Sequence, residues 1–408
     1  MTMLRRFALG TAALALTATT ALAGDVRVTV AEYSSKTGPY FEKMAAQFEE
    51  ANPDINVEIE VTPWDVLLQK LTTDISGGAN ADLAIIGTRW LLDFVEQDVA
   101  EPLDGYIDDE FRGRFIETFL SPSVMEDKVF GLPIAASARA MFYNKSLFEE
   151  AGVEPPETWE DVKAAAEKIS ALGDDIAGFG LQGKEIETDV YFYYPMWSYG
   201  GSILDEDGSS GLDSEAAIQA ATLYKEMIDG GLTQDGPTAY SREDVQNLFK
   251  QGKVGMMITA PFLSNQIKEE APDLEYGIVP IPAGPDGDRG TYGVTDSIIM
   301  FSNSDNKDEA WKFMDFLFTQ GPRSEFTQGE GFLPVNAAVS EEDAFTQNED
   351  LKAFAAVLPD ARFAPVITGW EEIADATSAA LQRVYLGEAT PEEALTAAAA
   401  EADRILGK

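Results

Sequence analysis

The chain has 408 residues, of which 71 are acidic and 29 basic, and it contains neither histidine nor cysteine. Without these two residue types it has no imidazole base or imidazole metal ligand, no thiolate nucleophile, no iron–sulfur cluster and no disulfide. The formal net charge of −42 also argues against nucleic acid and anionic lipid surfaces as partners, because both bind clustered Lys and Arg.

The first 23 residues have the composition of a secretory signal peptide. Arg5 and Arg6 precede an apolar stretch at 7–22, and Ala21-Leu22-Ala23 has the small–x–small pattern of a cleavage site. We therefore expect a mature chain that begins near Gly24 and is located in the periplasm. No later stretch approaches roughly eighteen continuous apolar residues, so we expect no membrane-spanning helix in the mature chain.

The next part of the chain alternates short apolar strands with amphipathic helices. Valines at every second position predict a strand with one buried face, and apolar residues at i, i+3, i+4 and i+7 predict helices. The predicted elements are, in chain order, a strand at 26–30, a helix that starts near Phe41 and stops at Asn52-Pro53, a strand at 55–61, a helix at 68–75, a strand at 83–86 and a helix from Trp90.

The middle and end of the chain repeat this alternation with clearer helix starts. Thr158 to Asp161 form a capping box, Ser241 is a second N-cap, and Thr390 precedes a proline at N1 and a glutamate at N3. An apolar strand at 254–258 lies between predicted helices. Strands that alternate with helices predict βαβ units and mostly parallel sheets, so the expected fold class is α/β.

Several segments together carry a family resemblance. They are Gly131-Leu132-Pro133, Ala140–Phe148 (AMFYNKSLF), Ala151-Gly152, Pro155–Asp161 (PPETWED), Gly331–Asn336 (GFLPVN) and Gly387–Leu395 (GEATPEEAL). These segments resemble the extracellular solute-binding proteins of ABC sugar importers, the class that contains maltose-binding and glycerol-phosphate-binding proteins. The resemblance implies two interleaved α/β lobes joined by hinge crossovers, as in type II periplasmic binding proteins.

The resemblance also implies how the chain divides and works. The implied parts are a signal peptide at 1–23, lobe I at 24–135 plus 262–322 and lobe II at 136–261 plus 323–408, with crossings near Ala135, Pro261 and Gly321-Pro322. A solute that contacts both lobes would favour their closed arrangement, which the permease subunits of an ABC transporter in the inner membrane would recognise. We expect a monomer that binds a saccharide or polyol, uses no cofactor and no metal, and is not an enzyme.

Sugar binding requires aromatic rings against the apolar side of the sugar and planar polar groups for its hydroxyls. Trp159 and Trp311 lie on amphipathic helix faces and are expected in the core. The predicted ligand-binding residues are Tyr33, Ser35, Trp64, Thr88, Arg89, Trp90, Ser137, Arg139, Tyr194, Trp197, Phe262, Asp296 and Trp370. For Trp64, Trp90, Trp197 and Trp370 simple packing is an equal alternative, and for Arg89 and Arg139 the alternative is a salt bridge.

Other functions remain open at this point. Two arginines in the cleft would suit a sugar acid, a phosphate or a sulfonate, and a glycerol phosphodiester or a polyamine is also compatible with the family. The adjacent tyrosines at 191, 193 and 194 admit a ferric ion, although no further ligand motif supports one. A secreted glycosidase needs only two carboxylates, but this alternative leaves the family segments unexplained.

Overall fold

The computed structural model describes residues 24–184 and 187–408. The predicted signal peptide at 1–23 lies outside the described residues. Among those residues, no helix combines the length and the apolar character that crossing a bilayer requires.

Strands of the described chain form two main sheets and two short pairs. The strands are β1 (Gly24–Glu32), β2 (Ile55–Pro63), β3 (Leu83–Gly87), β4 (Val124–Met125), β5 (Lys128–Val129), β6 (Leu132–Ser137), β7 (Ala140–Asn144), β8 (Ala177–Gly180), β9 (Val254–Thr259), β10 (Tyr276–Val279), β11 (Thr291–Tyr292), β12 (Val294–Met300) and β13 (Ala361–Arg362).

Helices connect and cover these strands. The α-helices are α1 (Thr37–Ala51), α2 (Trp64–Gly77), α3 (Leu91–Glu96), α4 (Asp109–Arg112), α5 (Glu117–Leu120), α6 (Lys145–Ala151), α7 (Trp159–Ser170), α8 (Thr188–Ser198), α9 (Glu215–Asp229), α10 (Arg242–Lys250), α11 (Phe262–Glu270), α12 (Lys307–Leu317), α13 (Gln320–Glu330), α14 (Ala337–Ser340), α15 (Asp343–Thr346), α16 (Glu349–Val357), α17 (Trp370–Tyr385) and α18 (Pro391–Leu406). The predicted caps of α7, α10 and α18 at Thr158, Ser241 and Thr390 are confirmed, each by a capping box.

The first sheet has the strand order β2-β1-β3-β12-β6. β1 pairs in parallel with β2 and β3, whereas β12 runs antiparallel to both β3 and β6, so four strands point one way and only β12 is reversed. Its core includes Val26, Val28 and Val30, as their alternation predicted. We call the part of the chain built around this sheet, residues 24–137 and 294–330, lobe I.

The second sheet has the order β10-β7-β9-β8, and here only β7 is reversed. Helices α7, α8, α9, α17 and α18 pack on it through one apolar cluster. We call this part, residues 138–279 and 349–408, lobe II. The predicted α/β class with two interleaved lobes and mostly parallel sheets is confirmed.

The chain crosses between the lobes at places that differ in part from the prediction. The first crossing, between β6 and β7, lies at 138–139, close to the predicted Ala135. A second runs beside it between β10 and β12: the Arg139 N–H donates to Thr291 Oγ1 at 2.8 Å, and that hydroxyl donates to the Arg139 carbonyl at 2.6 Å. Adjacent crossing strands of this kind let two lobes rotate about one narrow region.

Two predicted lobe boundaries are therefore wrong. Residues 262–279 belong to lobe II rather than lobe I, because β10 pairs with β7 and Tyr276 stacks on Phe142 with ring centroids 5.6 Å apart. Helix α13 belongs to lobe I, because Phe326 packs on Tyr40 at 5.1 Å. The third crossing thus follows α13 and does not lie at Gly321-Pro322. A single-sequence pattern gives the type of a short element but not the sheet that it joins.

The contact between α7 and β8 depends on a glycine. A Cβ on Gly178 would lie 2.4 Å from the Ala166 Cα, which is backbone and cannot swing away. We expect Gly178→Ala to lower the free energy of unfolding by about 1–3 kcal/mol or more through overpacking. Gly77→Ala is the matched control: a Cβ added there in α2 would have no neighbouring atom within 4 Å, and alanine favours a helix, so it should be neutral or stabilising by about 0.5–1 kcal/mol. Urea unfolding measures both, and equal effects would contradict the packing account.

Candidate ligand-binding cleft

A cavity of about 740 Å³ lies between the lobes, where strands of the first sheet end. Tyr33 follows β1, Trp64 follows β2 and Thr88 follows β3. Because β12 is reversed, its first residues lie at the same edge, and Asp296 is opposite Gly87 at the end of β3. Lobe II contributes the start of α8 and one face each of α10 and α11 to the opposite wall. Ligands of open α/β sheets bind at this edge, where loops and helix starts meet.

The structure brings most of the predicted ligand-binding residues together in this cleft. Those that line the cavity are Tyr33, Ser35, Trp64, Thr88, Arg89, Trp90, Ser137, Arg139, Phe262 and Asp296. They come from six different segments of the chain, yet the polar ones all lie at or beside a strand end: Asp296 near the start of the reversed β12, and the others at or after the ends of β1, β3 and β6.

Five aromatic rings form a continuous row along the cleft, which we call the aromatic row. Trp90 and Trp64 lie 5.5 Å apart, Trp64 and Tyr33 5.8 Å, Tyr33 and Phe332 4.9 Å, and Phe332 and Phe262 6.0 Å between ring centroids, all edge to face. Trp64, Tyr33 and Phe262 are partly exposed, whereas Trp90 and Phe332 are buried behind them. Edge-to-face packing fixes the orientation of the exposed rings before any ligand arrives.

Tyr194, Trp197 and Trp370 do not line the cavity, contrary to prediction. Every residue of α8, including Tyr194 and Trp197, is buried, and the Trp197 ring stacks on Tyr292 at 6.0 Å. Trp370 is 1% exposed and lies beneath the Arg89 guanidinium, 5.6 Å from its ring centroid. A helix that is apolar on all sides is typical of a core position, and these three aromatics support the cleft wall from behind.

Sequence reasoning missed the segment 363–366, which lines the cleft from lobe II. The segment follows β13, which pairs with β11 although the two strands lie about seventy positions apart in the chain. Gly293 makes room for it, because a Cβ there would lie 2.7 Å from the Phe363 ring. Val366 remains 58% exposed beside the cavity. A ladder of two residue pairs leaves no periodic signal that could have predicted this segment.

Two arginines at the cleft share one carboxylate. Arg139 Nη1 donates to Ser137 Oγ at 2.7 Å and Nη2 donates to Glu187 Oε1 at 2.8 Å. Arg242, which the sequence did not single out, donates from Nη1 to Glu187 Oε2 at 2.8 Å and from Nη2 to Glu243 at 2.6 Å. Each guanidinium is thus fixed and neutralised from within the protein.

Arg89 connects the two lobes. It donates to both carboxylate oxygens of Glu371 in α17, and its Nη1 lies 3.9 Å from Asp189 Oδ2 in α8. Within the described ranges the Asp189 oxygens accept no hydrogen bond of standard geometry, and burial raises the pKa of Asp189 to about 6. Nearby, the Gly369 N–H donates to Asp93 of lobe I at 3.4 Å. The salt-bridge alternative for Arg89 and Arg139 is therefore what the structure shows.

The remaining charges in the cleft follow the same arrangement. Among the described lining residues there are eight carboxylates and six cations. Lys36 pairs with Glu269 across the lobes and Lys250 pairs with Glu270 at 2.6 Å, so five of these six cations have a carboxylate partner. The cleft is accordingly polar without a free cationic patch.

Asp296 is a buried carboxylate in the lining of the cleft. It accepts a hydrogen bond from the Tyr33 hydroxyl at 3.1 Å, and burial raises its pKa to about 7, although Tyr33 and Arg139 act in the opposite direction. A half-ionised carboxyl at neutral pH can accept from ligand hydroxyls and can also donate to them.

Two α/β lobes around a cleft at the strand ends define a two-lobed solute-binding protein. The chain matches the family model described as bacterial extracellular solute-binding protein over residues 31–323. The match covers more than half of the chain, and the protein belongs to this family.

Individual relatives agree with the family match. A protein of Brucella abortus (strain 2308), whose provisional name states a binding protein without a ligand, is 69% identical over 96% of this chain and 95% of the relative. A maltotriose-binding protein of Pyrococcus abyssi is 25% identical over 80% of this chain and 70% of the relative. A solved ABC transporter solute-binding protein of Thermotoga lettingae, bound with α-D-tagatose, has a TM-score of 0.87 at 24% identity and covers 94% of this chain and 100% of that one.

The Arg89 ion pairs predict a large stability effect. Arg89→Gln removes the cation from the buried Asp189 and the largely buried Glu371, and it should lower the free energy of unfolding by about 3–5 kcal/mol. Arg112→Gln is the matched control, since the Arg112–Glu117 pair is exposed and is worth at most about 1 kcal/mol. Urea unfolding compares the two variants with wild type. A loss for Arg89→Gln no larger than that of the control would contradict the account.

Asp296 predicts a pH dependence of stability. An unfolded aspartate titrates near pH 4, so between that pH and about 7 the folded state keeps a proton that the unfolded state has released. The free energy of unfolding therefore falls as the pH rises through this window. Asp296→Asn cannot ionise and should gain stability over wild type at pH 8, by up to a few kcal/mol, but not at pH 4. The measurement is the melting temperature of each protein at a series of pH values. A difference in melting temperature between the two proteins that stays constant from pH 4 to 8 would contradict this prediction.

Proposed function

We propose that this protein is the periplasmic substrate-binding component of an ABC importer and that it binds a neutral sugar, oligosaccharide or polyol in the cleft between its lobes. The observation that carries the proposal is the combination of an aromatic row with three lining arginines that are already paired with carboxylates. A neutral, hydroxylated ring needs an aromatic face and fixed donors and acceptors, and it needs no net charge.

The aromatic row supports stacking on a sugar ring. Trp64, Tyr33 and Phe262 are partly exposed along the cleft, and Phe363 adds a ring from lobe II. A pocket for a small molecule typically has a volume of about 300–1,000 Å³ and combines apolar lining with a few fixed polar groups. The cavity of about 740 Å³ fits this description and has room for more than one sugar unit.

The charge distribution disfavours an anionic ligand. A sugar acid or a glycerol phosphodiester would need an unpaired guanidinium or ammonium group in the cleft. Arg89, Arg139 and Arg242 each contact a carboxylate, and the one lining cation without a carboxylate partner among the described residues, Lys184, is exposed to solvent. The slight excess of carboxylates in the lining leaves a polyamine as the second candidate. The name of the maltotriose-binding relative favours the saccharide.

Ligand binding would act through the hinge. A solute that contacts Trp64 of lobe I and Phe262 of lobe II binds the closed arrangement better than the open one and shifts the population towards it. The inter-lobe pairs of Arg89 and Lys36 would favour the same arrangement. We propose that the permease recognises this arrangement, that the binding protein is a monomer, and that the segment 1–23 directs its secretion.

A melting-temperature screen tests the proposal. The panel contains maltotriose, D-tagatose, D-mannitol, D-glucuronate, glycerol 3-phosphate and spermidine. At a hundredfold excess over Kd a bound neutral member should add about 2.7 kcal/mol of stability without any product. A response to the anions alone, or to spermidine alone, would contradict the neutral-ligand proposal. Hydrolysis of the saccharide would favour the glycosidase instead.

Trp64 provides a sharper test at the residue level. Trp64→Ala should weaken binding of the stabilising sugar by about 1–3 kcal/mol, or roughly 5- to 150-fold in Kd, because a stacked ring is lost. Val66→Ala is the matched control, since Val66 lies on the same helix, is exposed and does not line the cavity. Calorimetric titration measures both. Unchanged affinity in Trp64→Ala would remove this ring from the binding site.

A further inference from the structure

We propose that Glu187 sets the charge class of the ligand: by pairing with Arg139 and Arg242 at the same time, it lowers the positive charge of the cleft and makes the cleft reject anionic sugars. This inference rests on the proposed function, since the rejected ligands are the acidic and phosphorylated counterparts of neutral sugars.

Glu187 occupies both of its carboxylate oxygens with different arginines. Oε1 accepts from Arg139, which lies at the first crossing, and Oε2 accepts from Arg242 at the start of α10, both at 2.8 Å. All three side chains line the cavity. The Arg139 side chain is 4% exposed and those of Glu187 and Arg242 are 20% exposed, so solvent screens these charges poorly. The two guanidinium groups would form a doubly positive site, and they share Glu187 as their less exposed counter-charge, whereas the second partner of Arg242, Glu243, is 56% exposed.

The backbone of Glu187 indicates that its carboxylate is required at this point. Its φ is +77°, a left-handed conformation that glycine adopts freely and that L side chains rarely adopt. Strained residues of this kind persist where the surroundings hold them, often at ligand sites. Glycine would satisfy the backbone but would leave both arginines without this partner. Burial acts to raise the pKa of Glu187, but Arg242 and Arg139 hold it below its usual value, so the carboxylate stays ionised at neutral pH.

The other charges around the pair cannot replace Glu187. Without it, the Ser137 hydroxyl is the one side-chain acceptor that Arg139 keeps among the described residues. Arg242 keeps Glu243, whose side chain is 56% exposed and therefore well screened. Asp296 attracts Arg139 through space, but it forms no ion pair with it within 4 Å among the described residues. Two neighbouring guanidinium groups with free N–H donors are the arrangement that binds carboxylates and phosphates.

Glu187→Gln tests the proposal, because it keeps the size of the side chain and removes its charge. Calorimetric titration with D-glucuronate, and separately with inorganic sulfate, should show at least a tenfold gain in affinity over wild type, and the gain should shrink as NaCl is raised. The matched control is Glu243→Gln, which removes the exposed partner of Arg242 and should change anion affinity less than threefold. Glu187→Gly is the second variant, since it relaxes the backbone and also removes the carboxylate, and it should show the same gain.

The outcomes are distinct from those of the sugar screen. Folded Glu187→Gln and Glu187→Gly proteins, verified by circular dichroism, that bind D-glucuronate and sulfate no better than wild type would overturn the proposal. An equal gain in the Glu243→Gln control would overturn it as well. The sulfate titration involves no sugar, so a gain in sulfate affinity would support the role of Glu187 whatever the outcome of the sugar screen. If no neutral sugar stabilised the wild-type protein, that result would count against the proposed function and not against the role of Glu187.

Discussion

Within the described chain, every guanidinium that reaches the cleft is held by a carboxylate of the same protein, and the arrangement of the cleft depends on this pairing. A buried arginine without a partner is strongly destabilising. In a chain with 71 acidic side chains the partners are abundant, but each must come from the correct segment. Arg89 finds Glu371 and Asp189 in the other lobe, so the same interaction that neutralises a cation also joins the lobes.

Pairing of this kind changes what the cleft can recognise. A guanidinium with one carboxylate partner still has N–H donors to offer, and these are fixed in direction. It no longer presents net positive charge, so hydroxyl groups compete for it better than anions do. The aromatic row supplies the other half of sugar recognition, because Trp64 and Tyr33 are oriented by edge-to-face contacts with rings that are themselves buried. Charge neutrality and an aromatic face therefore favour the same ligand class.

The sequence predicted those parts of the molecule that depend on local rules. Alternating valines, helix caps such as Thr158 and polar residues after strand ends follow from local geometry, and the structure confirms the elements they predicted. Trp197, near the end of α8, and Trp370, at the start of α17, lie in the core and do not line the cavity. The sequence could not show this, because it does not distinguish whether an aromatic residue at a helix end faces a cleft or the core. The lobe boundaries were wrong because β10 joins its sheet through β7, more than 130 positions earlier in the chain, and no local pattern records that choice.

Glu187 shows most clearly why the site could be predicted only in part. Arg139 was found because it lies in the segment predicted to cross between the lobes, but its partner lies 48 positions away and the partner's second arginine lies 55 further on. Among 71 acidic residues nothing in composition distinguishes this glutamate. Its distinguishing features are a left-handed backbone and two ion pairs, and both exist only in the folded chain. The residue types available to the cleft follow from the sequence, whereas the net charge that a ligand meets follows from how the fold pairs them.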